Sequence, residues 1–176
     1  MEMPRRKMVK VVRPKVNKLF FLLSVFAVIS CGDTLYHRFE QVGNETWCVQ
    51  DTIEFLYEGS LGENETGIDA SIELRHTAGY GNRFLNVRME LLDAGDRHLL
   101  HADTFSCEVY DEYGRRNGET TGALYQLSGD AVPLPVSSKD TVIVRLMHIM
   151  GCERLKGVAD VGIRLSESST PGQHQF

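Results

Sequence analysis

Cys31 is the residue whose position indicates the most specific chemistry. It follows Val28-Ile29-Ser30, and the four residues together are typical of a bacterial lipobox, whose cysteine sulfur receives a thioether-linked diacylglycerol. Two or more acyl chains hold a protein on a membrane, whereas one chain binds only marginally. We therefore predict a palmitate-bearing lipoprotein attached to the membrane through Cys31. The alternatives are an uncleaved anchor and a plain signal with a chance cysteine.

Residues 1–30 have the composition of a secretory signal peptide. They carry seven of the 19 Lys and Arg residues but one of the 24 acids, and a mainly apolar segment follows over 19–29. As a helix this segment reaches about 16 Å, roughly half of the hydrocarbon core of a bilayer. It is too short for a stable span and fits a cleaved signal. Gly32, not an acid, follows Cys31, which favours the outer membrane, with the mature domain in the periplasm.

Three thiols remain if Cys31 is lipidated: Cys48, Cys107 and Cys152. An oxidising compartment permits one disulfide among them, and the sequence does not select the partners. The alternative is that they are small buried hydrophobic residues, above all Cys107 on an apolar strand face. No two of them have the spacing of a metal clamp.

His98 and His101 invite a metal interpretation, with acids nearby. Residues three apart on a strand point to opposite faces, so these two side chains cannot share an ion there. We expect no metal and no cofactor. The chain also lacks a Gly-x-Ser-x-Gly elbow, a phosphate loop and a dinucleotide fingerprint. A carboxylate pair that meets only in the fold stays open, but we predict no enzyme and no small-molecule substrate.

Several short motifs match modification signals. Thr34, Thr52 and Thr141 each stand between Asp and an apolar residue, a pattern that resembles a bacterial O-glycosylation signal. The alternative is that such a tripeptide opens a strand, where Thr and apolar residues are favoured. Asn44 and Asn64 match the N-glycosylation pattern, which a bacterial lipobox makes improbable.

The mature chain is acidic, since the residues after position 30 carry 12 of the 19 Lys and Arg residues but 23 of the 24 acids. Phosphate binding requires a surplus of Lys and Arg, so we expect no nucleic-acid partner. The size of the chain leaves room for one domain with a substantial core.

Period-two alternation is the main structural signal. In 68–75 and 85–91 apolar and polar residues alternate, which predicts half-buried strands, and a third strand over 98–109 would complete an antiparallel meander. Further candidates cover 53–57, 123–127, 141–150 and 158–165, and the segment 141–147 is apolar on both sides except at Arg145, which places it centrally. The sequence thus predicts an all-β chain: an antiparallel β-sandwich of about seven to nine short strands. We divide it into a signal peptide (1–30), one domain (31–166) and a flexible tail (167–176).

Ordered motifs along the mature chain carry a family resemblance. They are Thr34-Leu35-Tyr36-His37-Arg38-Phe39, Trp47, Asp51-Thr52-Ile53-Glu54-Phe55, Leu74-Arg75-His76, Tyr80, Asn86, Asp103-Thr104, Asp111-Glu112-Tyr113-Gly114, Gly118 and the segment 155–165. In this order they resemble the gliding motility-associated lipoprotein GldH family, from Cys31 to about Leu165. Two positions depart from the pattern: Arg116 replaces an aromatic residue between paired glycines, and Gly151 replaces a basic residue.

The resemblance implies a lipid-anchored, non-enzymatic accessory or scaffold component of the cell envelope, associated with gliding motility or the type IX secretion machinery. Its expected partners are the membrane, through Cys31, and other envelope proteins. The family supplies no catalytic residue. A surface glycan-binding lipoprotein is the alternative, although Trp47 is the one Trp of the chain.

Five residues could form a recognition surface, because Tyr and Arg are favoured at binding hot spots. Arg75 and His76 end a predicted strand, Tyr80 lies in a loop, and Tyr110 and Tyr113 flank a turn. The alternative is fold maintenance, with Arg75 paired to an acid on an exposed sheet face.

Overall fold

The computed structural model describes residues 34–59 and 65–168. The predicted signal peptide and Cys31 lie outside the described residues, and so do 60–64 and 169–176.

The described chain is built from strands, with one 3-10 turn at Gly43–Glu45 and no α-helix. Nine of the 12 strands have five residues or more, which agrees with the predicted number, and the other three have three residues each. Their bounds are β1 Thr34–Gln41, β2 Thr46–Cys48, β3 Ile53–Tyr57, β4 Gly67–His76, β5 Phe84–Asp93, β6 Leu99–Glu108, β7 Glu119–Thr121, β8 Leu124–Ser128, β9 Val132–Ser137, β10 Val142–His148, β11 Arg154–Lys156 and β12 Val158–Glu167.

Two antiparallel sheets form the sandwich, which confirms the predicted fold class. The six-stranded sheet has the order β1-β12-β4-β8-β7, with β9 also paired to β4, and the four-stranded sheet has the order β3-β10-β5-β6. A two-stranded ribbon joins β2 to β11. The central place predicted for 141–147 is confirmed, since β10 lies between β3 and β5.

The core fills the space between the sheets, and the alternation of the strands selects its residues. The apolar residues of β4 and β5 that were assigned to one face are at most 1% exposed. They are Ile68, Ala70, Ile72 and Leu74 on β4, and Leu85, Val87, Met89 and Leu91 on β5. Burial of alternate side chains on both inner faces is the arrangement expected of a sandwich.

The predicted meander is wrong at its first step. β5 and β6 do form a hairpin, with Val87 opposite Phe105, but β4 lies in the other sheet. The segment 77–83 therefore crosses from one sheet to the other. Packed sheets lie about 10 Å apart, a distance that a segment of seven residues spans easily. The prediction was wrong because alternation within a strand does not reveal which sheet the next strand joins.

The C-terminal strand extends past the predicted domain boundary. β12 continues to Glu167, and the Ser168 amide donates a hydrogen bond to the Gly67 carbonyl oxygen at 2.8 Å. Regular pairing therefore includes the first two residues of the segment predicted to be a tail.

The long strands give the sandwich two ends. We name the first the Thr34 end: it holds the start of β1, the end of β12, the β5–β6 turn (94–98) and the segment 138–141. We name the second the Tyr113 end: it holds 77–83 after β4, 109–118 after β6 and 149–153 after β10. At the Thr34 end the Tyr57 hydroxyl donates to the Ser138 carbonyl oxygen at 2.7 Å, and the Ser138 amide donates to the Thr66 carbonyl oxygen at 2.8 Å.

Candidate interaction site

The structure brings four of the five proposed recognition residues together at the Tyr113 end, but in different environments. Tyr113 is 75% exposed, whereas His76 and Tyr80 are at most 1% exposed and belong to the core. Tyr110 is half-buried. Only Tyr113 and part of Tyr110 can therefore touch a partner, and His76 and Tyr80 act as their support.

An aromatic cluster around His76 holds this end together. The imidazole centroid lies 5.5 Å from the Tyr80 ring, 6.2 Å from the Tyr110 ring and 5.4 Å from the Tyr125 ring. The Tyr110 hydroxyl donates to the Tyr80 carbonyl oxygen at 2.7 Å, which ties 109–118 to 77–83. Desolvation by burial lowers the pKa of His76 and raises that of Tyr80 well above its ordinary value. Both shifts favour the uncharged form of each side chain.

Arg116 covers the outside of this cluster. Its guanidinium carbon lies 4.5 Å from the centroid of the Tyr125 ring and 5.8 Å from that of Tyr110, within the range of a cation–π contact. Arg116 is one of the two positions noted above as departures from the resembled pattern. The sequence marked Arg116 as unusual, but no sequence signal predicted its cation–π contact with Tyr125.

The turn that carries Tyr113 is fixed by Asp111. One carboxylate oxygen of Asp111 accepts the amides of Tyr113 and Arg115 at 2.9 and 2.8 Å, and the other accepts Arg115 Nε at 2.6 Å. Desolvation opposes ionisation of Asp111, but the hydrogen bonds from Arg115 and Tyr113 hold its pKa below the ordinary value. Gly114 has φ +74°, a conformation that favours glycine. The turn thus presents Tyr113 on a pre-ordered backbone.

A polar cleft of about 350 Å³ lies beside this turn. Arg83 is paired with Glu108 at 2.7 Å, and Arg115 is paired with Asp111. Both guanidinium groups in the lining are therefore engaged by carboxylates, while Glu112 adds a further acid. The cleft fits a polar segment with a basic group better than an apolar ligand.

Exposed apolar side chains extend the surface from the cleft onto the four-stranded sheet. Val49, Phe84 and Ile149 are 44%, 40% and 46% exposed. The Ile149 amide donates to the Asn86 carbonyl oxygen at 3.0 Å, which places Ile149 beside β5, the strand that begins with Phe84. With Tyr113, these are four of the seven large apolar side chains that are exposed in the described chain. Ile149 and Phe84 thus lie at the same end of one strand pair, and neighbouring exposed apolar side chains are typical of a protein-binding surface.

Arg75 lies apart from this surface, on the outer face of the six-stranded sheet. Its guanidinium carbon lies 3.7 Å from the centroid of the Phe39 ring, and its Nε donates to Gln126 Oε1 at 2.8 Å. The carboxylate of Asp160 is 4.0 Å away. The alternative interpretation, in which Arg75 pairs with an acid on a sheet face, is confirmed.

One protein-family model matches this chain. The family model described as GldH lipoprotein matches residues 34–165, which is nearly the whole described domain. The chain belongs to the GldH lipoprotein family.

Comparison with solved structures gives low-scoring matches to structures of infectious bursal disease virus. The infectious bursal disease virus VP2 subviral particle matches at 14% identity and a TM-score of 0.33, over 81% of this chain and 31% of that one. The same virus, strain Gt, matches at 12% identity and a TM-score of 0.31, over 79% of this chain and 34% of that one. The chain thus spans about a third of the length of the structures it matches. The comparison with curated proteins gave no match.

Within the GldH-family domain the three described cysteines are free thiols. Cys107 is buried, as its apolar face predicts, and burial raises its pKa to about 11. Cys48 is half-buried and Cys152 is exposed.

One exposed turn of the GldH-family domain gathers possible metal ligands. The ligand atoms of Asp93, Asp96 and His98 lie within 4.8 Å of one another. Asp93 Oδ1 accepts the amides of Gly95 and Asp96, and Asp96 Oδ1 accepts the amide of His98. These hydrogen bonds of the turn explain the grouping, and we assign no metal to it. His98 precedes β6 whereas His101 lies within it.

The modification motifs lie at accessible positions where they are described. Thr34, Thr52 and Thr141 are exposed, so O-glycosylation at these residues stays a prediction. Asn44 lies in the 3-10 turn, and Asn64 lies outside the described residues. Among the residues that the structure describes, no helix is long and apolar enough to cross a bilayer.

Proposed function

We propose that this GldH-family chain is a non-enzymatic docking protein of the cell envelope, anchored in the outer membrane by lipid on Cys31, with its domain in the periplasm. In this role it joins other envelope proteins to the gliding motility or type IX secretion machinery. The family assignment and the lipobox support the anchor. The exposed Tyr113, held on a turn that Asp111 fixes, is the observation that supports docking.

The length of the sandwich supports a partner that lies away from the anchored membrane. β4 has 10 residues, and at about 3.3 Å per residue it separates the two ends by about 30 Å. The proposed lipid on Cys31 would attach three positions before Thr34 in the chain, so the Thr34 end is the one that carries the anchor in this proposal. At the Tyr113 end, exposed aromatic and apolar side chains surround a cleft, the composition of a binding hot spot.

The structure does not favour the glycan-binding alternative. Such sites stack sugars on exposed aromatic rings in a row, and the one Trp of the chain cannot contribute, since Trp47 is 1% exposed and its indole N–H donates to the Asp51 carbonyl oxygen at 2.9 Å. Trp47 packs on the His148 ring at a centroid distance of 5.3 Å, so it serves the core.

The test is site-specific photocrosslinking of the full-length lipoprotein in living cells. A crosslinking residue at position 113 should capture a motility or secretion component, whereas one at Glu167, exposed at the opposite end, should not. Tyr113→Ala should abolish gliding or surface-protein export in a cell that performs it, and Tyr113→Phe should retain it. Crosslinks from position 113 that contain no envelope protein, with normal export in Tyr113→Ala cells, would contradict the proposal.

A further inference from the structure

His148, the last residue of β10, is a buried histidine without a hydrogen bond. It is 1% exposed, and neither of its ring nitrogens has a hydrogen-bond partner in the described chain. Alternation along β10 places it on the inner face of the sheet, in line with Val144 and Leu146, which are fully buried. A buried polar group without a partner costs free energy, so the presence of a histidine at this position calls for an explanation.

The β2–β11 ribbon covers His148. The Trp47 ring stands edge-on to the imidazole at a centroid distance of 5.3 Å, and Trp47 and the residue opposite it, Leu155, are both 1% exposed. Within the described chain the ribbon pairs with neither sheet. It is tied where it leads into β12, since the Gly157 carbonyl oxygen accepts the Thr77 amide at 2.9 Å. Packing of apolar side chains, and not a ladder of hydrogen bonds, therefore holds the ribbon on the core.

The neighbours of His148 include one charged group. Val87 lies opposite it on β5, Trp47 contacts it from β2, and the Asp51 carboxylate acts on it from the segment between β2 and β3. On β10 itself, Arg145 is engaged by two carboxylates. Burial lowers the pKa of His148 below its ordinary value of 6.5, although the Trp47 backbone and Asp51 both favour the charged form. The imidazole is therefore neutral while the ribbon is closed over it.

We infer that the β2–β11 ribbon is a latch, which protonation of His148 releases from the core. A proton on His148 places a charge and two N–H donors in the apolar site, whereas in an open form water and the exposed Asp51 carboxylate can accept both donors. Because an opened imidazole regains its ordinary pKa of 6.5, each pH unit between that value and the pKa of the closed form raises the ratio of open to closed chains up to tenfold.

Release of the latch would also change the surface at the Tyr113 end. Val49 directly follows β2, and Ile149 directly follows His148, so opening moves two of the exposed apolar side chains that surround the cleft. This consequence for docking rests on the proposed function, whereas the latch itself does not depend on it.

The experiment uses Trp47, the one Trp of the chain, as the reporter. Acrylamide quenching of its fluorescence is measured from pH 7.5 to 5 on the full-length lipoprotein in detergent micelles, with circular dichroism of the same samples. His148→Phe removes the titrating group and keeps an aromatic ring in the site. His76→Phe is the matched control, because His76 is similarly buried and its pKa is also lowered, but its ring packs on three tyrosines and not on Trp47.

The quenching constant of the native chain and of His76→Phe should rise at least threefold between pH 7.5 and 5 while the circular dichroism stays unchanged. That of His148→Phe should stay constant, and so should that of His148→Leu, a second variant without a titrating group. A constant value in the native chain, or a rise that both His148 variants retain, would overturn the inference. A rise that accompanies loss of the circular dichroism would also overturn it, since the whole domain would then unfold. Loss of photocrosslinking from position 113, with pH-dependent quenching intact, would instead contradict docking and leave the latch.

Discussion

The carboxylate of Glu73 offers the sharpest test of how this sandwich is stabilised. Glu73 points to the outer face of the six-stranded sheet, yet it is 1% exposed. It accepts Arg164 Nε at 2.7 Å and the Ser128 hydroxyl at 3.1 Å. The residue opposite it, Gly162, leaves room for the Phe39 ring, whose Cδ1 would lie 2.7 Å from a Cβ at that position. The ring thus helps to exclude water from the carboxylate.

Arg164→Met and Glu73→Gln should lower the free energy of unfolding by different amounts, because the Arg164 side chain is 39% exposed and that of Glu73 is 1% exposed. Arg164→Met leaves a buried carboxylate with the Ser128 hydroxyl as donor and His37 Nε2 3.8 Å away, and removing one partner of a buried pair costs about 3 to 5 kcal/mol. We expect the low end, about 3 kcal/mol, since Arg164 itself is 39% exposed and water can enter where its side chain lay. Glu73→Gln removes the buried charge and leaves an accessible guanidinium, so we expect about 1 to 2 kcal/mol. The double variant should be more stable than Arg164→Met alone.

The assay is urea unfolding of each purified variant, followed by circular dichroism, with Arg88→Met as the control. Arg88 forms an ion pair with Glu90 at 3.0 Å while 45% exposed, and exposed pairs contribute about 0 to 1 kcal/mol. If Arg164→Met lowered the free energy of unfolding no more than Arg88→Met, the burial argument would be wrong. A double variant less stable than Arg164→Met would refute it equally.

Three further outcomes are expected. Desolvation lowers the pKa of both His76 and His148 below the ordinary value of 6.5. Near that pH the unfolded chain therefore binds more protons than the folded one, and stability should fall as the pH drops below about 6.5. Urea midpoints measured from pH 7.5 to 5 should show this fall, with a smaller dependence on pH in His148→Phe. Gly157→Ala should cost about 2 to 5 kcal/mol, because φ is +83° and a Cβ would lie 2.3 Å from a backbone nitrogen; a melting temperature equal to that of the native chain would exclude this strain. Iodoacetamide should modify the exposed Cys152 long before the buried Cys107, whose pKa is about 11, and equal rates by peptide mass spectrometry would contradict the burial.

Two strands of more than five residues, β1 and β9, were not predicted from the sequence. β1 is polar or exposed along most of its length, since it pairs only at the edge of its sheet, and no period-two pattern distinguishes it from a loop. β9 contains Pro133 and Pro135, residues that lack an amide hydrogen and are confined to edges and bulges. β9 does alternate, with Leu134 buried between exposed prolines, but the prolines argue against a strand. β1 has no buried residue, so its pairing with β12 is what makes it a strand.

The same limit applies to the candidate site. Tyr80, Tyr110 and Tyr113 are one residue type within a short stretch of sequence, but one is buried, one is half-buried and one is exposed. Their environments depend on contacts of His76 and the crossing segment 77–83, which carries Tyr80, with Tyr110 and Tyr125, which come 30 residues or more later in the chain. Residue type suggested which tyrosines could bind a partner, and contacts decided which of them are accessible.

The amino-acid sequence by itself determined the inner faces of β4 and β5, the central place of β10, the sandwich class and the family, because alternation and motif order are local properties of a chain. Only the tertiary structure decided that β4 and β5 lie in different sheets, that Glu73 is buried on an outward face, and that Thr34 and Tyr113 lie at opposite ends. Strand pairing joins residues far apart in the chain, and its free energy depends on which side chains then share a surface. Period-two patterning is the same for every pairing that keeps the apolar face inward.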